Sequence, residues 1–586
     1  MGQKSSTNQL ADTNPPNGKQ IIMEGIIYGN GDELIEGIIT PYKENIPNKP
    51  SYPPGEYYYI RGQDIISPLL IEAEERKKIG LSEKIRLYFE LKKVVNSNNQ
   101  HSFRISIINN SKINNETYLG NLESRTGNNI KFGNYFEIEY LFERQQIINI
   151  IPIINGETFE EKIELVLPNL ITSQDNKVSI EIKNVGTLII NYSKINEQDE
   201  LNKEISIFQF SITLNNDIFK TEKYLENMFY VIKNKRIENT KRPIYKSHEY
   251  NLKLNTKREL TLISFDSDIL YDNEDEDIYF ELYSPSFNNK NFIGETSFTI
   301  KQLKNKLEKD DKNEIVPIKS NKYQYLGFLE INYNSRKKMS FEKFAKIGKI
   351  NLEIAIDYTL SNKDVNDPES LHYIDDKIKN DYEIAIRACG NILSNYNKDK
   401  IFQVYGFGGI PQNSKEANHC FSINFNEDNP DIKGIDNVIN LYKESLKKIE
   451  LSSPTYLSPI LKNLIKKIED DLKKNPEENN YYFLLVLTDG ILNDYWDTVN
   501  NIVEASKLPL SIVIIGIGNY DFSPMYNLDG DEKPFISTVG EIRKRDIVQF
   551  VEFNKFKGSI DRGTDLAEEV LKEIPRQVED YYKYCV

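Results

Sequence analysis

Between residues 85 and 335 the apolar positions fall in short runs, such as "HSFRISIINN", "NYFEIEYLF", "KVSIEIKN", "ISIFQFSITL", "DIYFELYS" and "FLEINYN". Many alternate apolar with polar, and Asn- and Gly-containing turns separate them, which predicts antiparallel β-strands with one buried face. The runs group into two units, 85–196 and 203–335, each of the size of a β-sandwich domain. After "MSFEKFAKIGK" the pattern changes. The runs "INLEIAID", "IFQVYGFGG", "YFLLVLTDG" and "LSIVIIGIG" are apolar on both faces and alternate with helical patterns at "DYEIAIRACGNILSNY", "GIDNVINLYKESLKKI", "SPILKNLIKKIEDDLKK" and "YWDTVNNIVEASK". Residues 340–586 therefore read as a doubly wound α/β domain, Rossmann-like, with a parallel sheet covered by helices on both sides. The Pro- and Tyr-rich stretch 1–84 reads as a flexible leader.

Composition narrows the function classes. A net charge of -15 argues against nonspecific nucleic-acid binding, which needs concentrated Lys and Arg. Three cysteines, Cys389, Cys420 and Cys585, are too few for a disulfide framework or a four-thiolate zinc site, so a reducing, cytoplasmic setting is expected. The apolar runs are far shorter than the ~20 residues of a spanning helix. The opening "MGQKSS" fits the N-myristoylation pattern at Gly2. A single acyl chain anchors marginally, so a second membrane contact is expected.

The chemistry gathers at the strand ends, where ligands collect in parallel α/β folds. "IAIDYTLSN" ends an apolar run on Asp357 and places Thr359 and Ser361 at alternate positions beyond it. "LTDG" ends another run on Asp489, and "SPTYLSP" carries Thr455 in a loop before a helix. Two carboxylates and three hydroxyls form an oxygen-only ligand set suited to Mg2+ or Mn2+. Asp364 and Asp494 match no motif and read as surface acids.

This D-x-T-x-S run, with the loop threonine and the TDG aspartate, resembles the metal-ion-dependent adhesion site of von Willebrand factor A domains. The phrases "AIDYTLSN", "SLHYI", "VYGFGG", "FNEDNP", "LTDGILND", "ASKLPLSIVIIGIG" and "RDIVQFVEF" resemble copines in particular. The resemblance implies two C2 domains before the A domain. It also implies calcium-dependent phospholipid binding, an adaptor on the inner face of the plasma membrane or another intracellular membrane, and A-domain binding of protein partners. It places the metal ligands at Asp357, Thr359, Ser361, Thr455 and Asp489.

The calcium loops depart from the copine pattern. In "YSPSFNNKNFIGE", Ser284, Ser286 and Asn291 stand where copines have acids, and the earlier loop "NNDIFKTEKYL" keeps only Asp217 and Glu222. The first unit's "VVNSNNQHSFRI" has no acid in its equivalent loop. Calcium takes 6 to 8 oxygens, most of them charged in tight sites, so neither C2 unit is expected to bind it usefully. The acidic run 265–280 reads as a solvated loop, and the basic strip 233–246 reads equally as a second contact for anionic headgroups or as a solvated strand edge. No catalytic constellation accompanies the four histidines, and no phosphate-binding loop is present, so no enzyme activity is expected. The alternative to a membrane adaptor is a structural component of a submembrane assembly with protein-binding C2 units.

Overall fold

The computed structural model describes strands at 23–28, 34–41 and 56–60, residues 82–109, 116–159 and 162–195, and the strands and adjoining turns of 204–337. It also describes 339–586 apart from 530–536 and a few single positions. In the C-terminal part, five parallel strands line up in the spatial order Ile401–Phe407, Lys349–Asp357, Asn480–Thr488, Leu510–Gly516, Val548–Glu552. Short antiparallel segments, Phe421–Ser422 and Asp431–Lys433, extend the first edge and make the sheet mixed. The apolar residues of each central strand divide between two cores. Ile354, Ile356, Leu485 and Leu487 pack on the face covered by helices Asp381–Leu393, Arg562–Leu571 and Ile574–Tyr584. Ala355, Leu484 and Val486 pack on the face covered by Ser458–Lys474 and Tyr495–Ala505. This two-sided burial is why these strands carry continuous apolar runs instead of alternation.

In chain order the strands sit 2-1-3-4-5. The direction of winding reverses between the first, Lys349–Asp357, and the third, Asn480–Thr488, opening a crevice beyond their carboxyl ends. Asp357 and Asp489 both stand there.

The first β unit is a sandwich of two five-stranded sheets around one core that includes Ile85, Phe89, Phe103, Ile150 and Leu188. In the second unit a single hydrogen-bonded path joins the strands, but its two halves meet only at the pairs Gly294–Ser320 and Glu295–Lys319 among the described residues. A side chain on Gly294 would lie 2.4 Å from the Lys319 carbonyl, so the glycine permits the close approach at this corner. One core, with Phe208, Phe210, Tyr230, Phe280 and Leu329, fills the fold on itself. Where the sequence reads a leader, strands Met23–Tyr28, Leu34–Pro41 and Glu56–Ile60 are present, the last pairing with Thr240–Lys246 of the second unit. Alternation in "MEGIIY" and "LIEGIITP" was hidden by the Pro- and Asn-rich segment that follows them.

The first sandwich is bound to the C-terminal domain through helix Phe341–Ile347. Glu342, 6% exposed, accepts from the Tyr192 hydroxyl at 2.7 Å and is paired with Lys194 and, at 2.5 Å, with Lys346. Lys194 also pairs with Glu83 at 2.9 Å. Burial raises the Glu342 carboxyl, but the two ammonium groups more than offset this and hold it below its ordinary value. Beside this knot the Phe142 ring lies 4.6 Å from Phe341 and 4.9 Å from Tyr396, and the Tyr140 and Tyr396 hydroxyls bond to each other.

Glu143 enters the same interface. Burial, reinforced by Glu568 and Glu139 and opposed by Arg144, pushes its carboxyl up to about 7. An acid raised in the folded state stabilises fully below its unfolded value, and that contribution is lost as pH rises through the folded one. Glu143→Gln should therefore remove on the order of 2 kcal/mol of the stability difference between about pH 5 and pH 8. Urea melts at the two pH values measure it, and an unchanged difference would contradict the assignment.

Candidate metal centre at the strand ends

Each candidate ligand is delivered by a local feature of the chain. Asp357 is the last residue of its strand, fully buried, and pairs with Phe407 in the parallel register, while Thr488 of the strand on its other side reaches its carboxylate. One carboxylate oxygen accepts from the Thr359 amide at 2.8 Å and the Thr359 hydroxyl at 2.5 Å, and the other from the Thr488 hydroxyl at 2.6 Å. Beyond it the chain bridges to Ser452 at Thr359 and then makes a one-turn helix, Leu360–Asn362. That turn brings Ser361 back over the site, where its hydroxyl lies 2.9 Å from the Thr359 hydroxyl and donates to Asp489 Oδ1 at 2.8 Å. Thr359 reaches the same oxygen at 3.5 Å. Asp357, Thr359, Ser361 and Asp489 thus form one hydrogen-bonded cluster, with Asp357, Thr359 and Asp489 buried.

Thr455 comes from the neighbouring loop and is 7% exposed. The loop is fixed through its backbone: the Thr455 amide donates to Asn493 Oδ1 at 2.8 Å, and the Asn493 amide to the Thr455 carbonyl at 2.9 Å. The segment after Asp489 is thereby stitched to the segment carrying Thr455. Gly490 does not adopt a left-handed backbone, contrary to the tight turn that "TDG" suggests. A side chain there would instead lie 3.9 Å from the Ser361 hydroxyl.

The electrostatics are those of a site one charge pair out of balance. Burial, then the Asp357 carboxylate, push Asp489 up to about 8, and burial raises Asp357 as well. Asp489 Oδ2 is buried and accepts no hydrogen bond from the described residues. Two desolvated carboxylates, one with an orphaned oxygen, and hydroxyls that can turn their lone pairs inward fit a hard divalent cation. Among the described residues no group of three or more His, Cys, Asp or Glu side chains gathers as a metal-ligand cluster. The fit therefore rests on hydroxyls completing a two-carboxylate set.

Other residues that shape the site gave little signal in the sequence. His372 is fully buried beneath the strand end, its Nε2 2.8 Å from the Asp357 carbonyl and its Nδ1 2.9 Å from the Tyr442 hydroxyl. Burial lowers it to about 4, so it is a neutral strut. Gly408, with φ of +76°, lies where a Cβ would meet Thr359 Cγ2 at 2.2 Å, and it makes room for that ligand. Tyr520, itself exposed, donates to the Ser361 carbonyl at 2.8 Å. Asp494, read from the sequence as a surface acid, is instead half-buried and accepts from the Leu457 amide at 3.1 Å and the Ser458 amide at 2.7 Å. It caps helix Ser458–Lys474, whose own N-cap position is Leu457 and offers no acceptor.

Of the other expected positions, Gly2, Asp217, Glu222, Ser286 and Asn291 lie outside the described residues. Ser284 follows the strand that ends at Tyr283 and is 1% exposed. The first unit's acid-free loop is tied down by Asn155, which accepts from the Gln100 amide at 2.8 Å and donates to Asn99 at 3.2 Å. Two members of the acidic run, Glu274 and Asp275, are exposed and pair with Lys304 and Lys301 at 2.5 and 3.0 Å. Lys233, first of the basic strip, is turned to Glu281 at 2.6 Å, inside the fold.

Residues 370–585 match the family model described as copine. This chain carries a copine domain. The match includes Thr455 and Asp489 and begins beyond Ser361, so the first-strand ligands rest on the geometry above. Among solved structures, the calcium-bound tandem C2 domains of extended synaptotagmin 2 are similar at 9% identity, over 44% of this chain and 100% of that one, with a TM-score of 0.16. The manganese-loaded TRAP protein of Plasmodium vivax is similar at 13% identity, over 39% of this chain and 75% of that one, with a TM-score of 0.22. At such scores neither likeness bears on the fold or chemistry of this chain. Among the described residues no helix is long and apolar enough to cross a membrane.

Removing the cap that ties the two loops of the copine domain should be felt at once. Asp494→Ala leaves two helix-terminal amides without their acceptor and should cost about 1–2 kcal/mol in chemical denaturation. A loss under a few tenths would mean the cap does not hold the Thr455 loop.

Proposed function

We propose that the chain is a copine-like adaptor that docks on phospholipid membranes and binds protein partners through a von Willebrand factor A-like copine domain. The observation that carries the reading is the pair of buried carboxylates, Asp357 and Asp489, bridged by Thr359 and Ser361 at the point where the sheet's winding reverses. Asp357, Thr359, Ser361, Thr455 and Asp489 would hold Mg2+ or Mn2+. Bound there, the ion would supply a positive centre for an acidic group of a partner. Tyr520 and the exposed Leu360 flank the opening and would shape what approaches.

Binding, not catalysis, is the role this site supports. His372 is engaged at both ring nitrogens and carries no proton to spare for a reaction. Membrane attachment combines acylation at Gly2 with contacts from the C2-like units, without calcium. A scaffold of a submembrane assembly is the second reading; the observation favouring it is the pairing of Lys233 with Glu281, away from any headgroup.

Thermal melting with and without metal tests the centre. Millimolar Mg2+ or Mn2+ should raise the midpoint of the copine domain by about 3–8 °C, the shift that binding at a hundredfold excess over Kd gives a domain of this size. Asp489→Asn should melt higher than the parent without metal, because the cost of burying a titratable carboxyl beside Asp357 is gone, and should show no metal shift. A parent midpoint indifferent to both ions would overturn the proposal.

A further inference from the structure

The crevice beyond the strand ends has two unlike banks. The loop that runs from Asp357 into helix Asp381–Leu393, on one side of the sheet, carries the exposed cations Lys363, Lys377 and Lys379. The two loops that enter helices Ser458–Lys474 and Tyr495–Ala505, on the other side, carry none: residues 449–461 and 485–506 contain no Lys or Arg. This second bank presents aromatic rings and acid instead. Trp496, the single tryptophan of the chain, is 61% exposed, and Tyr456 is 36% exposed. Asp497 follows Trp496, is exposed, and has no ion-pair partner among the described residues.

Hydrogen bonds make one surface of these two loops. The amides of Thr455 and Leu457, on either side of Tyr456, donate to Asn493 Oδ1 at 2.8 Å and Asp494 Oδ1 at 3.1 Å, three and two residues before Trp496. Tyr495 packs on the core beneath and meets the Trp496 ring at 5.4 Å with the planes at 79°, which props the indole outward. The His419 ring lies 4.7 Å from Tyr456; burial, opposed by Asp494, holds it below its ordinary value, so it adds no cation at neutral pH. Asp497 has a local reason to stand in the first turn of its helix, at the positive end of the dipole. Trp496 has none, since an exposed indole neither caps the helix nor fills a core. The bank adjoins the metal centre, because Thr455 neighbours Tyr456 and the chain of Trp496 leads back to Asp489, whose Oδ2 is buried and unpartnered.

We propose that Trp496 and Tyr456, with Asp497, form a subsite for a basic side chain, so that the partner of the copine domain is a protein segment with a lysine or arginine within a few residues of the acidic group that the metal centre would receive. The inference rests on the adaptor reading and adds to it a second determinant of recognition. An indole face attracts an ammonium or guanidinium group, and exposed Trp and Tyr rings are the residue types that concentrate binding energy at interfaces. An apolar side chain laid on the same rings would strip water from Asp497 and give nothing back, whereas a cation pairs with it. A second acid on the partner would meet Asp497 as a like charge, so the bank also selects against a purely acidic segment.

The test is selection of a displayed library of random decapeptides on the immobilised full chain in millimolar Mg2+, with elution by EDTA. Peptides selected by the parent should carry Asp or Glu and, within a few positions of it, Lys or Arg above the library frequency. Trp496→Ala should select acidic peptides without the basic companion, and should bind a parent-selected peptide about three- to thirtyfold more weakly, the range of a cation–aromatic contact. Asp497→Asn, which leaves the shape of the surface intact, should weaken that peptide about two- to fivefold. Tyr118→Ala on the first sandwich should change nothing. Binding should also shift the fluorescence of Trp496, which no other indole obscures. If the parent's peptides carry an acid but no basic companion, or if the companion persists in Trp496→Ala, the subsite is refuted while the adaptor reading stands. If EDTA releases no peptide from the parent, the inference and the partner-binding reading fall together.

Discussion

The structure of the copine domain turns on two carboxyl groups taken out of water at neighbouring strand ends. Asp357 and Asp489 share a crevice with Thr359 and Ser361, and among the described residues the groups donating to their oxygens are hydroxyls and backbone amides. Such a pair is costly in a metal-free fold, because neither carboxylate finds a cation to offset its desolvation. The surrounding construction keeps it in place nonetheless. Parallel pairing with Phe407 and the Thr488 hydroxyl fix Asp357, the bridge of Thr359 to Ser452 fixes the first loop, and the Asn493 and Asp494 bonds fix the Thr455 loop. A rigid frame around an unfavourable pair is the arrangement expected where a ligand completes the balance.

The same logic of buried charge operates at the joint between the first sandwich and the copine domain, but there the balance is complete. Glu83 and Glu342 meet Lys194 and Lys346, and an aromatic cluster of Phe142, Phe341 and Tyr396 excludes water beside them. The charges are paired and fix the relative position of the two parts, so that the long strand Ser82–Lys92 carries its far end away from the copine domain. The first sandwich and the divalent site thus belong to one connected body in the fold.

What the sequence made legible follows from how local each cause is. An apolar run ending on an acid, as in "IAIDYTLSN", is a property of nine consecutive residues, and the fold gathers its Asp357, Thr359 and Ser361 with Asp489 in one hydrogen-bonded cluster. The helix over Ser458–Lys474 was legible for the same reason. Asp494 was not, because its acceptor role depends on amides 36 and 37 residues away that only tertiary structure brings near. Lys233 looked like part of a basic strip until its strand turned it toward Glu281. Charge patches built from one segment can be read along the chain, and those assembled by a fold cannot.

The central claim, that Asp357 and Asp489 are kept together to hold a divalent ion, is tested most directly by counting free Mn2+ with electron paramagnetic resonance in solutions of the full-length chain. The account predicts one bound ion per chain, displaced by Mg2+ and lost in Asp357→Asn while far-UV circular dichroism stays unchanged. A free-Mn2+ signal undiminished at millimolar protein and metal, or binding that survives Asp357→Asn, would contradict it.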